Sequence, residues 1–249
     1  MPQPWQKGTI ERIEDEAVAT RRFWIRLEET SCFDFRPGQF VTLDLPIHEQ
    51  PNKRWRSYSI ASWPDGSNLI ELVIVRLDGG AGTRYLFEEI KIGDRLPVRG
   101  PQGVFVLPEP IEKDLVMICT GTGIAPFRSM VHHILRNNIP HGNLYLIFGC
   151  RYLSNALYQN EMHALVEQVP AFHYYPVYSR ETGNEYPVRT GYVHAVYEEL
   201  CRQKKAGSAS GSYPASFFLC GWKDMISEAR ARLLALGYDK KDIHLELYG

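Results

Sequence analysis

The chain has no excess of charge of either sign. Its 28 Lys and Arg stand against 29 Asp and Glu, for a formal net charge of -1. A dedicated nucleic-acid binder carries a strong basic balance, so no nucleic-acid partner is expected. Long apolar runs are missing too. The longest stretch without a charged residue is 17 residues, 206–222, and its first half is Gly, Ser and Ala. A helix needs roughly 20 apolar residues to cross a bilayer, so no membrane insertion is expected. The opening MPQPWQKGTIERIEDE holds no apolar segment of the secretory kind, and a cytoplasmic location is expected. Cysteine is sparse and scattered: Cys32, Cys119, Cys150, Cys201 and Cys220, no two within three residues of each other. Such spacing argues against a disulfide framework, C-x-x-C redox motifs and the clustered ligands of zinc or iron–sulfur centres, so no metal is expected. Internal repeats are absent. The one low-complexity stretch, AGSASGS at 206–212, reads as a flexible surface loop.

What is present is ordinary globular material: 249 residues, 44% hydrophobic and 23% charged. A chain of this length buries about 70–75% of the surface its unfolded form exposes. Its two halves have different rhythms. Up to about residue 106, short runs such as FWIRLEE, GQFVTLDLP, RSYSIAS, LIELVIVRL and DRLPVRGPQGVFVL alternate with Pro-Gly, Asp-Gly and Gly-Gly turns. That spacing predicts a small antiparallel β-barrel, interrupted by one helix near 83–90. After Pro108-Glu-Pro110, strands alternate with helices expected near 126–137, 158–169, 193–204 and 225–236. Alternation of this kind predicts an α/β domain with a parallel sheet and helices on both faces. The expected domains are therefore 1–108 and 111–249.

Two stretches carry chemistry. In LVMICTGTGIAP, 115–126, a strand feeds a turn with Gly121 and Gly123 and then a helix begun by Pro126. Such a turn lets backbone N–H groups and a helix N-terminus approach a pyrophosphate. Pro126 stands where the third glycine of the full dinucleotide fingerprint would be, and a plain strand–turn–helix is the alternative. In RSYSIAS, 56–62, strand alternation puts Arg56, Tyr58 and Ile60 on one face and Ser57, Ser59 and Ala61 on the other. An arginine suits phosphate, an aromatic suits a flat ring and a serine can donate to a ring nitrogen. By residue type alone, an amphipathic strand with a surface arginine explains it equally.

RSYSIAS resembles the R-x-Y-S motif of the ferredoxin–NADP reductase superfamily, with a plastid-type continuation. GTGIAPFRS at 121–129 resembles its nucleotide pyrophosphate turn, FLCGWKDM at 218–225 its Cys-Gly motif, and the tail HLELYG its C-terminal aromatic ending. The four occur in family order. The resemblance implies an N-terminal flavin-binding β-barrel followed by a C-terminal NADP-binding domain, with FAD and NADP(H) as cofactors. It implies that Arg56 pairs with the flavin pyrophosphate, Tyr58 packs on the ring, Ser59 hydrogen-bonds near its N5, and Ile60 continues that site. Gly80, Gly82 and Thr83 resemble a second pyrophosphate clamp. Gly121, Thr122, Gly123 and Pro126 would hold the NADP pyrophosphate. Cys220 and Glu246 would lie near the reacting nicotinamide, and Tyr248 would stack on the flavin, although Gly249 follows it here. Ser179 and Arg180, with Arg151 and Arg189, would meet the 2′-phosphate, with Glu181 as a countersignal.

The implied activity is hydride exchange with NADP(H) and single-electron exchange with ferredoxin or flavodoxin. The alternative is a stand-alone NAD(P)H reductase component serving an oxygenase or haem protein. A flavin-carrying adaptor without nucleotide turnover is a third reading. Ferredoxin-type partners are acidic, and Lys53, Arg54, Arg21 and Arg22 are the candidate docking cations.

Overall fold

Ile10, Ile25, Leu27, Val41, Leu43, Leu72 and Val98 come from five separate strands and end together in one buried cluster. The sheet that holds them consists of β1 (Trp5–Ala17), β2 (Thr20–Leu27), β3 (Phe40–Asp44), β4 (Trp55–Ser59), β5 (Leu69–Val75) and β6 (Arg95–Gln102). All neighbours pair antiparallel, in the order β4-β3-β6-β1-β2-β5. An Ile60–Leu72 bridge just past β4 joins the two ends of that order, closing the barrel. Helix α1 (Ala81–Glu88) lies between β5 and β6. The computed structural model describes residues 3–182 and 188–248, with Tyr248 described by its backbone alone.

The second sheet is parallel, ordered β11-β10-β7-β8-β9. Its strands are β7 (Asp114–Thr120), β8 (Leu144–Cys150), β9 (Phe172–Tyr178), β10 (Ala215–Trp222) and β11 (Ile243–Tyr248). β7, β8 and β10 are buried along almost their whole length, which is why they read as unbroken apolar runs rather than alternating ones. On one face Val116, Ile118, Ile147, Phe217 and Leu219 pack with residues of α4 (Val193–Ala206) and α5 (Lys223–Ala235). α3 (Gln159–Gln168) meets β9 through an edge-on His163–Tyr174 contact. The chain starts mid-sheet at β7, runs outward through β8 and β9, and returns to β10 on the other side. Sheets of this kind bind ligands where the order reverses, at the carboxyl ends of the central strands.

Contacts divide the chain into two compact units, 1–107 with 125–137, and 108–124 with 138–249. Helix α2 (Ala125–Arg136) therefore differs from the expectation that it covers the parallel sheet. It belongs with the barrel unit, through Phe127 against Phe105 and His132 stacked on Trp63 at 4.2 Å.

Candidate functional site

In the barrel unit, β4 pairs with β3 so that Arg56 opposes Leu43 and Tyr58 opposes Val41. Arg56 donates to the carbonyls of Trp55 (2.7 Å) and Lys53 (3.1 Å). Its side chain lies over the first turn of α1: a Cβ on Gly82 would be 3.0 Å from its Cγ. The fold thus brings Arg56 and the Gly80–Thr83 segment together across 24 residues of sequence. No side chain caps α1, so the N–H groups of its first turn have no intrahelical acceptor and suit an anion. A cavity of about 140 Å³ opens there, lined by Arg76, Gly79, Gly80, Ala81 and Arg84 among others. The Thr83 hydroxyl has another task. It is buried, accepts from the Leu77 N–H at 3.1 Å and lies 3.2 Å from the Gly80 carbonyl, locking the turn that presents those N–H groups. Tyr58 is half-buried, and burial pushes its phenol up to about 12. Ser59 is buried, and Ile60 sits wholly in the barrel core, where it closes the sheet.

In the second unit the glycine turn is built against the end of β10. Residues Gly121–Ile124 form a tight helical turn. A Cβ on Gly123 would lie 2.4 Å from the Cys220 carbonyl oxygen. Gly221 has φ +136, and a Cβ there would lie 2.4 Å from Thr120 Oγ1. The same Oγ1 accepts the Trp222 N–H at 3.2 Å. Gly121, by contrast, has φ +54 and open space before it. The motifs around 121 and 220 are therefore one structure, with Thr120 as the joint. Pro126 takes the second position of α2, where a missing N–H costs nothing. Cys220 is fully buried, opposite Cys119, whose thiol burial pushes well up. A pair in such surroundings is not nucleophilic. Glu246 stands beside Cys220 in the β10–β11 register, half-buried. The Tyr248 side chain lies outside the described residues, as do residues 183–187.

At the far side of the turn, backbone bonds gather the expected phosphate ligands. The Ser179 N–H donates to the Cys150 carbonyl and the Arg180 N–H to the Arg151 carbonyl, both at 2.9 Å. Arg151 and Arg180 are exposed at the carboxyl ends of β8 and β9. Arg189 is tied to the same place by its carbonyl, which accepts from Tyr178. Its guanidinium points to Glu199 at 3.4 Å, and the Ser179 hydroxyl lies 3.4 Å from the Cys150 carbonyl, so what the fold brings together is the backbone of Arg151, Ser179 and Arg180. Glu181 accepts the Leu153 N–H at 2.6 Å, an orientation that caps a short helical turn. It also helps burial push the Cys150 thiol up to about 12.

The expected docking cations are mostly paired. Arg54 forms a two-pronged bond with Asp44, Arg21 holds Asp15, and Arg22 holds Glu71 and Glu16. Lys53 remains exposed. Residue-type reasoning passed over Thr120 and Trp222. Both lie inside recognised motifs, and the available signal was a threonine before one Gly turn and an aromatic after another.

Comparison with known proteins agrees with this layout. Residues 7–107 match the oxidoreductase FAD-binding domain model, and residues 117–231 the oxidoreductase NAD-binding domain model. The chain is 36% identical to ferredoxin–NADP reductase B of Sorangium cellulosum, over 87% of this chain and 86% of that protein. It is 29% identical to the phenol hydroxylase P5 protein of Acinetobacter pittii, over 97% of this chain but only 65% of that longer one. Its fold superposes on the Amycolatopsis cytochrome P450 reductase GcoB with a TM-score of 0.82 at 28% identity, covering 98% of this chain and 70% of that one. A ferredoxin NADP+ reductase from Neisseria gonorrhoeae, solved with FAD and NADP, superposes with a TM-score of 0.79 at 24% identity, covering 98% of both chains. With matches to a flavin-binding and a nucleotide-binding domain model and a relative 36% identical over most of both chains, the chain belongs to the ferredoxin–NADP reductase superfamily.

Proposed function

We propose that the chain is an FAD-dependent NADP(H) oxidoreductase that exchanges single electrons with a ferredoxin or flavodoxin, residues 1–108 holding the flavin and 111–249 the nucleotide. The observation that carries the nucleotide choice is the backbone adjacency of Arg151, Ser179 and Arg180 at the ends of β8 and β9, with Glu181 turned to the Leu153 N–H. Guanidinium and hydroxyl groups suit a 2′-phosphate, whereas a free acidic side chain would favour the bare ribose. The relative from Sorangium supports the ferredoxin-type partner.

Bound FAD supplies the chemistry that joins two-electron nicotinamide exchange to one-electron protein exchange. The residues of this chain bind and orient. Arg56 and the N–H groups of α1 neutralise the flavin pyrophosphate, and an uncapped helix N-terminus that has a cavity before it fits that group. Tyr58 offers its ring face, and Ser59 its hydroxyl. The turn of Gly121, Thr122 and Gly123 holds the nucleotide pyrophosphate. Cys220 contributes a small wall rather than a nucleophile, and the Glu246 carboxylate is placed to hold a proton beside it.

A second reading, a reductase component for a separate oxygenase or haem protein, is favoured by the phenol hydroxylase and P450-reductase relatives. The test is ferricyanide reduction by the FAD-loaded protein, comparing kcat/KM for NADPH and NADH, in the wild type and Arg180→Ala. The expected outcome is a strong NADPH preference that Arg180→Ala erodes by raising KM for NADPH alone. Preference for NADH, with Arg180→Ala without effect, would select the second reading.

A further inference from the structure

We propose that Arg128 and Glu71 are positioning residues for the flavin reaction: their buried pair fixes the end of β4 and with it the Ser59 hydroxyl. The inference rests on the reading of Ser59 above and names what holds that residue. Regular β4 ends at Ser59. The residues after it are fixed one group at a time. The Ile60 N–H donates to the Gln39 carbonyl at 3.0 Å, and the Ala61 N–H to the Glu71 carbonyl at 2.8 Å. The Ser62 hydroxyl accepts the Glu71 N–H at 3.0 Å. The Ala61 carbonyl is taken by Arg128, whose Nη1 donates to it at 2.9 Å and to Glu71 Oε2 at 3.0 Å. That nitrogen carries two hydrogens, one for each acceptor. From the other side Arg22 Nε donates to Glu71 Oε1 at 2.6 Å, and Arg22 also meets Glu16 at 3.4 Å.

Stability alone does not account for this arrangement. The Arg128 and Glu71 side chains are only 5% and 4% exposed. Desolvating two charges offsets most of the gain from their meeting, and apolar residues of similar volume hold a core as well. What a hydrogen-bonded pair adds is direction, because its strength falls steeply away from the preferred distance and angle. Ile60 is anchored in the barrel core and bridged to Leu72, so the Ala61 peptide is the next joint about which the Ser59 end of β4 can turn. A charge also supplies a field, but here the signs balance: Arg128, Arg22, Glu71 and Glu16 are two cations and two anions in one chain of contacts. The pair therefore acts on the reaction through geometry, and a displacement of about 1 Å is enough to slow a reaction about a hundredfold.

The experiment compares wild type, Ser59→Ala, Arg128→Met with Glu71→Gln, and all three changes together, each loaded with FAD. The pair of changes removes one charge of each sign, so the local net charge is kept. Two quantities are read. One is the FAD dissociation constant, from flavin fluorescence on titrating the apoprotein. The other is the first-order rate of flavin reduction in stopped flow, at saturating NADPH or NADH, whichever the ferricyanide comparison selects. The pair variant is expected to weaken FAD about threefold to tenfold and to slow reduction about tenfold, the effect of a displacement smaller than 1 Å. In the Ser59→Ala background it should change the rate less than about twofold, because changes acting through one group do not add. Arg128→Lys keeps a donor without the planar fork and should slow reduction about threefold, an effect that also vanishes with Ser59→Ala. It carries the test alone where the pair variant does not fold. Wild-type FAD affinity and rate in these variants, or the same factor of slowing in both backgrounds, overturns the proposal while leaving the reading of Ser59 intact. Ser59→Ala with the wild-type rate overturns both.

Discussion

A methyl group placed on Gly123 would lie 2.4 Å from the Cys220 carbonyl oxygen and 3.0 Å from the Gly221 Cα, both backbone atoms without a rotamer to escape into. On Gly121 it would meet nothing, and the cost there is the left-handed backbone alone, φ +54. The two substitutions should therefore separate. Gly121→Ala is expected to cost about 1 kcal/mol. Gly123→Ala must part the turn from the end of β10, a strain of about 1–3 kcal/mol, and should weaken nucleotide binding more than tenfold while leaving flavin content unchanged. Urea midpoints and nucleotide titration of both variants check the ranking, and equal behaviour would refute the joint between the two motifs. The same residues show what was legible in sequence. Gly121 and Gly123 were legible through their spacing after a strand, and Gly221 through the family resemblance of the motif around it. The ion pairs of Arg22 with Glu71 and Arg54 with Asp44 did not, because residue types give no hint of which charges meet. The first of those pairs spans 49 residues. Thr83 was readable as a helix-start hydroxyl, but its bonds to Leu77 and Gly80 depend on a turn the sequence does not fix.

Helix α2 raises the same issue at the level of an element. Its sequence gives strand, turn and helix correctly, yet Phe127, Met130, Val131 and Ile134 form an apolar stripe that would suit either a barrel or a sheet. What assigns it is a buried polar set. Arg128 donates to the Ala61 carbonyl at 2.9 Å and to Glu71 at 3.0 Å, and Glu71 also accepts from Arg22 at 2.6 Å. Both members of the Arg128–Glu71 pair are almost wholly buried. Losing one partner of a buried pair costs about 3–5 kcal/mol, and retention of Arg22 beside Glu71 places Arg128→Met near the lower end. Combining it with Glu71→Gln should cost clearly less than the two single losses added, since the uncompensated charge then disappears. Urea unfolding of the four proteins completes the cycle, and strict additivity would remove the pair from the account of how α2 is held. Strand β1 was missed for a related reason. TIERIEDEA alternates poorly because Glu11, Asp15 and Glu16 are there to meet Arg26, Arg21 and Arg22 of the neighbouring strand, not to face a core. The strands of the second unit were easy by contrast, because burial on both faces demands continuous apolar runs.

For the molecule as a whole, a net charge of -1 conceals many internal pairs, and its response to acid follows from which groups the fold holds away from their ordinary values. His173, His194 and His244, all in the second unit, are held below the usual imidazole value, in each case chiefly because burial disfavours the cation. Glu11, Glu28 and Glu228 are held below the usual carboxylate value, each chiefly by a hydrogen bond, from Arg26, Thr9 and Arg232 respectively. The signs differ in consequence. A histidine with a lowered folded value takes up a proton on unfolding wherever the pH lies between that value and the ordinary one near 6.5. The stability it lends is present above 6.5 and is lost as the pH falls through that interval. A lowered carboxylate keeps its contribution until the pH falls below 4.5 and through its folded value. Acidification should therefore act in two steps, the first below neutrality and the second below 4.5. The first belongs to the parallel-sheet unit. Calorimetry between pH 7.5 and 5 should show the transition of that unit moving down, with protons taken up on unfolding, measured by repeating the scans in buffers of different ionisation enthalpy. His244 stacks on Phe218 at 4.4 Å, so His244→Phe keeps an aromatic there and should flatten part of the slope without removing the contact. A transition that stays level to pH 5, or a His244→Phe slope identical to wild type, would show that these imidazoles do not govern the acid response.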